Sequence, residues 1–301
     1  MKKDFLSLRD LSADEISAIL KRAADFKAGK DINACPLLGK SIGIFFEKPS
    51  TRTRVSFEVG IYQLGGKSIC LNPSELQLGR GETMSDTAKT LSRYLNGIII
   101  RTFAHSTLKE FASVSTMPVI NGLSDVHHPC QVLADLMTML EKKGRIRGLK
   151  VAFIGDGNNV CNSLIEASAR MEFNLTVACP EGMEPDADIL ENARVSSKSE
   201  IIILRDPREA AGMADVVYTD VWVSMGQEKR DDEKEKLKDY QINARLLSCS
   251  KKDAIVLHCL PAHRGEEITD EVMDGPQSVV FDQAENRLHT QKALLELLIR
   301  S

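Results

Sequence analysis

The chain reads as an α/β protein of two domains, each a parallel sheet flanked by helices, joined by interdomain helices. Three observations predict this. Short apolar runs alternate with helical patterns along nearly the whole sequence, as crossover connections between parallel strands require. The length of 301 residues suffices for two domains of ordinary size. A basic stretch with two glycines, Lys142-Lys143-Gly144-Arg145-Ile146-Arg147-Gly148, separates one series of runs from the next.

The first helix is signalled by a capping box, Ser12 with Glu15, and by a staple between Leu11 and Ile16. Ile16, Ile19, Leu20 and Ala23 supply its apolar face, and Gly29 ends it. Apolar runs follow at 41–46, 68–71, 97–101 and 118–120. Helical patterns separate them near 52–64, where Val55, Val59 and Tyr62 recur, and near 83–95 and 106–115. A helix around 130–142 (Val132, Leu133, Leu136, Met137, Leu140) is expected to connect the domains. The basic cluster after it reads as a solvated turn. The second series has runs at 151–155, 175–179, 200–204, 216–220, 254–260 and 278–281, with helices at 159–172 and 209–214. A terminal helix covers 290–301 through Ala293, Leu294, Leu297 and Leu298. The boundaries are therefore 1–142, 143–285 and 286–301. The highly charged run from Gln227 to Asp239 is either a solvated face or a flap over a site.

Composition narrows the class. A hydrophobic fraction of 43% and a charged fraction of 27% describe a soluble globular protein. A net charge of −4 provides no electrostatic footprint for nucleic acid. No apolar run reaches the length of a membrane span. The N-terminus, Met1-Lys2-Lys3-Asp4-Phe5, lacks a signal core, which predicts a cytoplasmic location. Seven cysteines without a C-x-x-C pair fit reduced thiols rather than a disulfide framework.

Ser50-Thr51-Arg52-Thr53-Arg54 stands between the run ending at Phe46 and a helical pattern. Hydroxyls and guanidinium forks at a helix N-terminus form an anion trap, because the first N–H groups lack internal partners and carry the positive end of the dipole. Read alone, the motif could equally be a cap followed by two solvated arginines. Arg101 ends the run Gly97–Ile100, where ligands of parallel sheets gather, although a surface arginine is the plainer alternative. In His128-Pro129-Cys130-Gln131, a helix start would let His128 and Gln131 face one ligand. A donor imidazole can bind a carbonyl oxygen, and an amide oxygen can accept from an NH₂ group. His127 has no such signal and reads as structural.

Gly155-Asp156-Gly157-Asn158-Asn159 opens like a dinucleotide fingerprint, but Val160 stands where the third glycine belongs. Asp220 ends the run Val216–Thr219, and Ser224-Met225-Gly226 follows it. A carboxylate there could hold an ammonium group or cap a helix. His258-Cys259-Leu260-Pro261 closes the run from Ala254. A cysteine nucleophile would need a base, yet His258 and Cys259 should point apart along a strand. A zinc site would need more ligands at suitable spacing.

The motifs at 50–53, 128–131, 220–226 and 258–261, in this order, resemble the transcarbamoylase family, and within it the ornithine branch. The resemblance covers essentially the whole chain. It implies transfer of the carbamoyl group of carbamoyl phosphate to the δ-amine of L-ornithine, giving L-citrulline and phosphate in arginine metabolism, with biosynthesis the favoured direction. It implies a carbamoyl-phosphate-binding domain over 1–142, an ornithine-binding domain over 143–285, and a helix over 286–301 that packs back on the first. The carbamoyl-phosphate residues it implies are Ser50, Thr51, Arg52, Thr53, Gln77, Arg101, His128, Gln131, Cys259, Leu260 and Arg287. Arg101, His128 and a threonine would stabilise the carbonyl oxygen as charge grows on it. Arg101, His128 and Cys259 form the implied catalytic set.

For ornithine the resemblance implies Asn159, with Asn158 the alternative by one position, together with Asp220, Ser224 and Met225. Gln77 lies on a loop, Asn72–Thr83, that in the family reaches a neighbouring subunit. That loop has no lysine, which disfavours the aspartate branch. The family implies a homotrimer, and the reaction requires no metal or organic cofactor. The partners are the two small substrates and further copies of the chain. Three related activities, on aspartate, putrescine or acetylornithine, fit Asp220 less well. A binding protein on this fold would not need the oxyanion donors.

Overall fold

Two parallel sheets organise the chain. The computed structural model describes residues 2–30, 35–73, 81–223 and 231–299. The chain divides into two compact units, Met1–Ala134 with Asn286–Ser301, and Asp135–Glu285.

In the first unit, α1 (Ala13–Lys27) opens with the capping box: Ser12 Oγ accepts from Glu15 N at 3.2 Å, and Glu15 Oε2 accepts from Ser12 N at 2.9 Å. Ile16, Ile19, Leu20, Ala23 and Phe26 are its buried face. Then come β1 (Ser41–Phe46), α2 (Thr51–Gln63), β2 (Lys67–Leu71), α3 (Met84–Leu91), β3 (Gly97–Arg101), α4 (His105–Val114) and β4 (Val119–Leu123). The sheet order is β2-β1-β3-β4, all parallel. All five residues of β3 are buried, as expected for a strand covered on both faces. Its core includes Phe45, Ile98, Ile100, Leu108 and Phe111.

The α2 helix corrects one expectation. Val55, Val59 and Tyr62 do not face the core but are 50%, 36% and 81% exposed. Thr53, Phe57, Gly60 and Ile61 are buried instead. Two apolar stripes compete on this helix, and the one containing the larger Phe57 and Ile61 packs inward.

The second unit contains β5 (Lys150–Ile154), α6 (Asn159–Met171), β6 (Asn174–Ala178), α7 (Ala187–Ser196), β7 (Ile201–Leu204), α8 (Pro207–Ala211), β8 (Val216–Thr219), α9 (Asp231–Leu237), α10 (Ala244–Leu247), β9 (Ile255–His258) and α11 (Asp270–Met273). Its parallel sheet runs β7-β6-β5-β8-β9. Helix α7 has no counterpart in the sequence reading because only Ile189 and Ala193 are buried, too few to set a period. The described part of the charged run, 231–239, is α9 and the start of a 3₁₀ turn, anchored by the buried Leu237.

The run 278–281 is not a strand. Ser278 makes one isolated bridge to Val256, and Val280 already begins a helix. That helix, α12 (Val280–Ile299), has 20 residues and so starts ten before the expected 290. Its first half buries polar side chains, among them Gln283, Asn286, Arg287 and Thr290, so apolar periodicity does not reveal it. In the first unit, residues of α12 bind Arg22, Lys27 and Gln63 through Glu296, Asn286 and Lys292 at 2.6, 2.8 and 2.9 Å. Helix α5 (Pro129–Lys143) spans the division, its residues up to 134 belonging to the first unit and those from 135 to the second.

A buried polar cluster braces the second unit. Tyr218 OH donates to Asp135 Oδ2 at 3.0 Å, and Gln283 Nε2 donates to Asp135 Oδ1 at 2.7 Å. Gln283 Oε1 accepts from His258 N at 2.9 Å. Tyr218→Phe should therefore lower the unfolding free energy by about 1–3 kcal/mol, since it leaves a buried carboxylate oxygen short of a donor. Urea denaturation checks this, and an unchanged midpoint would remove the cluster from the stability account.

None of the seven cysteines is in a disulfide, and Cys130, Cys161 and Cys179 are buried. Among the described residues, no helix is long and apolar enough to cross a membrane.

Candidate active site

In a parallel sheet whose strand order reverses, ligands gather beyond the carboxyl ends of the strands on either side of the reversal. In the first unit the reversal falls between β1 and β3, and in the second between β5 and β8. The predicted residues follow these strands: Ser50–Thr53 after β1, Arg101 at the end of β3, Asn158 and Asn159 after β5, and Asp220 after β8.

Ser50 is the N-cap of α2, with its Oγ accepting from Thr53 N at 3.3 Å and donating to Thr53 Oγ1 at 3.1 Å. Thr51 is exposed and Arg52 half-buried, whereas Thr53 is buried. Arg287 Nη2 donates to Thr53 Oγ1 at 3.0 Å, and its Nη1 donates to Gln131 Oε1 at 2.6 Å. Gln131, Thr53 and Arg287, far apart in sequence, thus form one buried group in the first unit. Arg54 is outside it: its Nε pairs with Glu58 at 2.8 Å. On that side a cavity of about 640 Å³ is lined by Ser50, Thr51, Arg54, Val55, Glu58 and Cys70, among others.

His128 immediately precedes α5 and is buried. Burial first, then the charges of Arg287, Arg101 and Arg52, hold its imidazole well below the usual histidine range. At neutral pH His128 is therefore a neutral donor rather than an imidazolium. Arg101 is 6% exposed. The sequence reading passes over Lys48, although it too is a buried cation. Burial and then Arg101 lower its pKa, and its ammonium lies 4.5 Å from the centre of the Phe103 ring. Two residues from the anion trap, Lys48 has only its proximity to that motif as a sequence signal. His127 packs edge-on to His105 at 5.0 Å, and burial pushes it down to about 3.

In the second unit, Asp220 is 7% exposed and accepts three hydrogen bonds. Val221 N and Cys259 Sγ donate to Oδ1, each at 2.8 Å, and Asn158 Nδ2 donates to Oδ2 at 2.8 Å. Asn158 also caps α6, its Oδ1 accepting from Val160 N at 3.0 Å and Cys161 N at 3.2 Å. Asn159 is the first helical residue and is buried. Gly157 explains the glycine pattern differently from a dinucleotide site. A Cβ there would stand 2.3 Å from Pro185 N and 2.5 Å from Glu184 C, so the close approach is made by the chain's own backbone.

His258 and Cys259 point apart. Cys259 turns to Asp220, while His258 Nε2 lies 3.0 Å from Glu267 Oε1 and His258 Nδ1 accepts from Leu260 N at 2.9 Å. With Nδ1 accepting, the ring proton is on Nε2 and donates to Glu267. Asp220, His258 and Cys259 bring three metal-type ligand atoms within 4.8 Å of one another, but His258 has no lone pair left for an ion. Neither can it serve Cys259 as a base. Leu260 has a left-handed φ of 57°, held by that bond from its N–H. Arg264 is occupied by Asp270 and Asp274 at 2.7 and 2.5 Å. His263 lies 3.7 Å from Glu266. Gln77, Ser224 and Met225 lie outside the described residues.

Arrayed in this way, the first unit offers arginines and a neutral imidazole suited to a small phosphorylated carbonyl compound. The second offers a carboxylate suited to an ammonium group. The family model described as "Aspartate/ornithine carbamoyltransferase, carbamoyl-P binding domain" matches residues 3–141, and that described as "Aspartate/ornithine carbamoyltransferase, Asp/Orn binding domain" matches 147–298. The ornithine carbamoyltransferase of Syntrophus aciditrophicus is 56% identical over 302 residues, covering 99% of this chain and 100% of that relative. The solved ornithine carbamoyltransferase of Pyrococcus furiosus is 50% identical with a TM-score of 0.93, covering 99% of this chain and 97% of its own. The anabolic ornithine carbamoyltransferase of Campylobacter jejuni is 41% identical with a TM-score of 0.93, covering 98% of each chain. Matched along nearly its whole length by both domain descriptions and by close relatives, the chain belongs to the aspartate/ornithine carbamoyltransferase family.

Proposed function

We propose that the protein transfers the carbamoyl group of carbamoyl phosphate to the δ-amine of L-ornithine. The observation that carries this is the buried group of the first unit, in which Arg287 donates to Thr53 and Gln131, Arg101 and His128 are buried, and the charges of Arg287, Arg101 and Arg52 act on a neutral His128. Three cations suit a phosphate dianion, and a neutral imidazole donor suits the carbonyl beside it. Relatives bearing the ornithine carbamoyltransferase name support the choice of amine.

In this reading Ser50, Thr51, Arg52 and Thr53 cradle the phosphate, with Gln77 and Arg287 contributing. Gln131 and the backbone at Cys259 and Leu260 hold the carbamoyl NH₂. Asn159, Asp220, Ser224 and Met225 hold the amino acid, and Cys259 lies along its side chain. The deprotonated δ-amine attacks the carbonyl carbon, and the oxygen takes up negative charge facing Arg101 and His128. The carbon–oxygen bond to phosphate then breaks, the carbonyl re-forms, and departing phosphate removes the amine proton. Positioning and charge stabilisation supply the catalysis, and no step calls for a cofactor.

The enzyme acts in the cytoplasm, in arginine biosynthesis, as a homotrimer. Exposed apolar side chains on α2 and β2 (Val55, Val59, Tyr62 and Ile69) support self-association through that face. The name of the Campylobacter jejuni relative supports the biosynthetic direction.

Incubation with carbamoyl phosphate and a panel of amines (ornithine, acetylornithine, putrescine, aspartate), scored for phosphate release, tests the reading. Release dependent on ornithine is expected, and release dependent only on another amine would overturn it. Arg52→Ala should lower kcat/KM for carbamoyl phosphate by about 10- to 100-fold or more, the worth of one or more charge-assisted hydrogen bonds at about 1.5–3 kcal/mol each. Arg52 is half-buried at the start of α2, so circular dichroism should be unchanged. Activity within a few-fold of wild type would remove the cradle from the mechanism.

A further inference from the structure

Asn158 and Asn159 are adjacent and chemically identical, and the structure gives them different surroundings. The Asn158 amide is used at both ends. Its oxygen takes two N–H groups of the first turn of α6, Val160 at 3.0 Å and Cys161 at 3.2 Å. A carboxamide oxygen accepts and its nitrogen donates, so this cap fixes which end is which. The NH₂ group must then face the other way, where it meets Asp220 Oδ2 at 2.8 Å. Helix α6, 13 residues long and buried over most of its length, is a firm base for this arrangement.

Asp220 needs such a partner. It follows the end of β8, is almost wholly buried, and its Oδ1 is already taken by Val221 N and Cys259 Sγ. Only Oδ2 has room for a further donor, and the direction of its remaining lone pair depends on how the carboxylate plane is turned. Asn158 sets that plane from the opposite side.

We propose that Asn158 is a positioning residue for amino-acid recognition. It uses the N-cap of α6 as a lever to aim the Asp220 carboxylate at the substrate ammonium, leaving Asn159 as the member of the pair that touches substrate. This rests on the assignment of Asp220 to the amino-acid substrate made above. Both ends of the Asn158 side chain are engaged, its oxygen in the helix cap and an N–H of its amide on Asp220.

A double-mutant cycle with two capping variants tests this. Asn158→Ser keeps a capping oxygen and loses the donor to Asp220. Asn158→Asp keeps the cap, and its charge suits a helix N-terminus, but it sets a second carboxylate against Asp220. Asn158→Ser should melt close to wild type, and Asn158→Asp somewhat lower because two carboxylates then meet at a nearly buried site. Asn158→Ser should lower kcat/KM for ornithine by roughly tenfold or more, as for loss of a hydrogen bond to a charged group, while KM for carbamoyl phosphate stays within about twofold. Asn158→Asp should lose more, and recover in part at lower pH as one carboxyl of the pair takes up a proton. In an Asp220→Asn background, Asn158→Ser should add almost nothing.

Wild-type ornithine efficiency in Asn158→Ser would overturn the proposal. So would an equal loss in both backgrounds, which would mean a direct contact or a purely structural role. If Asn158→Ser folds poorly, Asn158→Asp carries the same comparison. Failure of the underlying reading looks different: wild type would not use ornithine, or Asp220→Asn alone would leave ornithine kinetics unchanged, and the proposal would fall with it.

Discussion

Arg101→Ala is expected to lower kcat by about 10²–10³-fold, the effect of removing one preorganised donor to a developing oxyanion, about 2.7–4 kcal/mol. Arg101 ends β3 at the point where the strand order of the first sheet reverses, and is 6% exposed. In the proposed reaction its guanidinium needs no reorganisation as charge builds on the carbonyl oxygen. Because the interaction strengthens along the reaction, kcat should fall more than affinity for carbamoyl phosphate. Arg101→Lys should recover only part of the loss, since an ammonium keeps the charge but not the planar fork. Arg101→Ala, which removes the charge, should also relieve Lys48, whose protonated form burial and then Arg101 disfavour. Rapid-quench turnover together with calorimetric carbamoyl-phosphate binding checks this. A kcat within tenfold of wild type would assign the oxyanion to other donors.

Asp220→Asn should chiefly damage use of ornithine, by about 2–5 kcal/mol in kcat/KM, the usual result of removing one partner of a desolvated charge pair. The local geometry compounds the charge effect. Three donors (Val221 N, Cys259 Sγ and Asn158 Nδ2) converge on the two oxygens of Asp220. An amide keeps one acceptor and turns its NH₂ against a donor, whichever way it is flipped. Carbamoyl-phosphate binding should be nearly unchanged, because in the proposed reading its phosphate and carbonyl donors come from the first unit. Putrescine lacks the group that Asp220 would hold, so the preference for ornithine over putrescine should shrink. Competition kinetics in which that preference survives intact would show that Asp220 serves Cys259 rather than the substrate.

How far these sites were legible in the sequence depended on the range of the interactions. Local signals were sound. The box at Ser12 and Glu15 forms as expected, and Ser50 caps α2. Two failures among the helices are instructive. Helix α7 buries only Ile189 and Ala193, and α12 begins among buried polar residues, so neither presents an apolar period at its start. On α2 the periodicity was real but marked the exposed side, because burial is decided by the sheet beneath it. Site residues were legible where the chemistry lay in one short stretch. The bonds joining Arg287 to Thr53 and Gln131 span 234 and 156 residues, and Asn158 meets Asp220 across 62. No local pattern encodes such pairings; only the strand order does.

The passage of the backbone at 183–185 over Gly157 constrains how the sequence can drift. Gly157 and Gly182 flank this crossing and resist substitution for different reasons. At Gly182, φ is +84° with nothing within 4 Å of a built Cβ, so the barrier is conformational and graded. Asparagine or aspartate can enter at modest cost, because their side chains tolerate the left-handed region. At Gly157 the barrier is steric and absolute: an added methyl group would overlap the backbone of Glu184 and Pro185. A saturation library should therefore return a short list of residues at 182 and glycine alone at 157, unless the 183–185 segment is rebuilt in the same step. The two positions look alike in a single sequence, yet one is a slope and the other a wall.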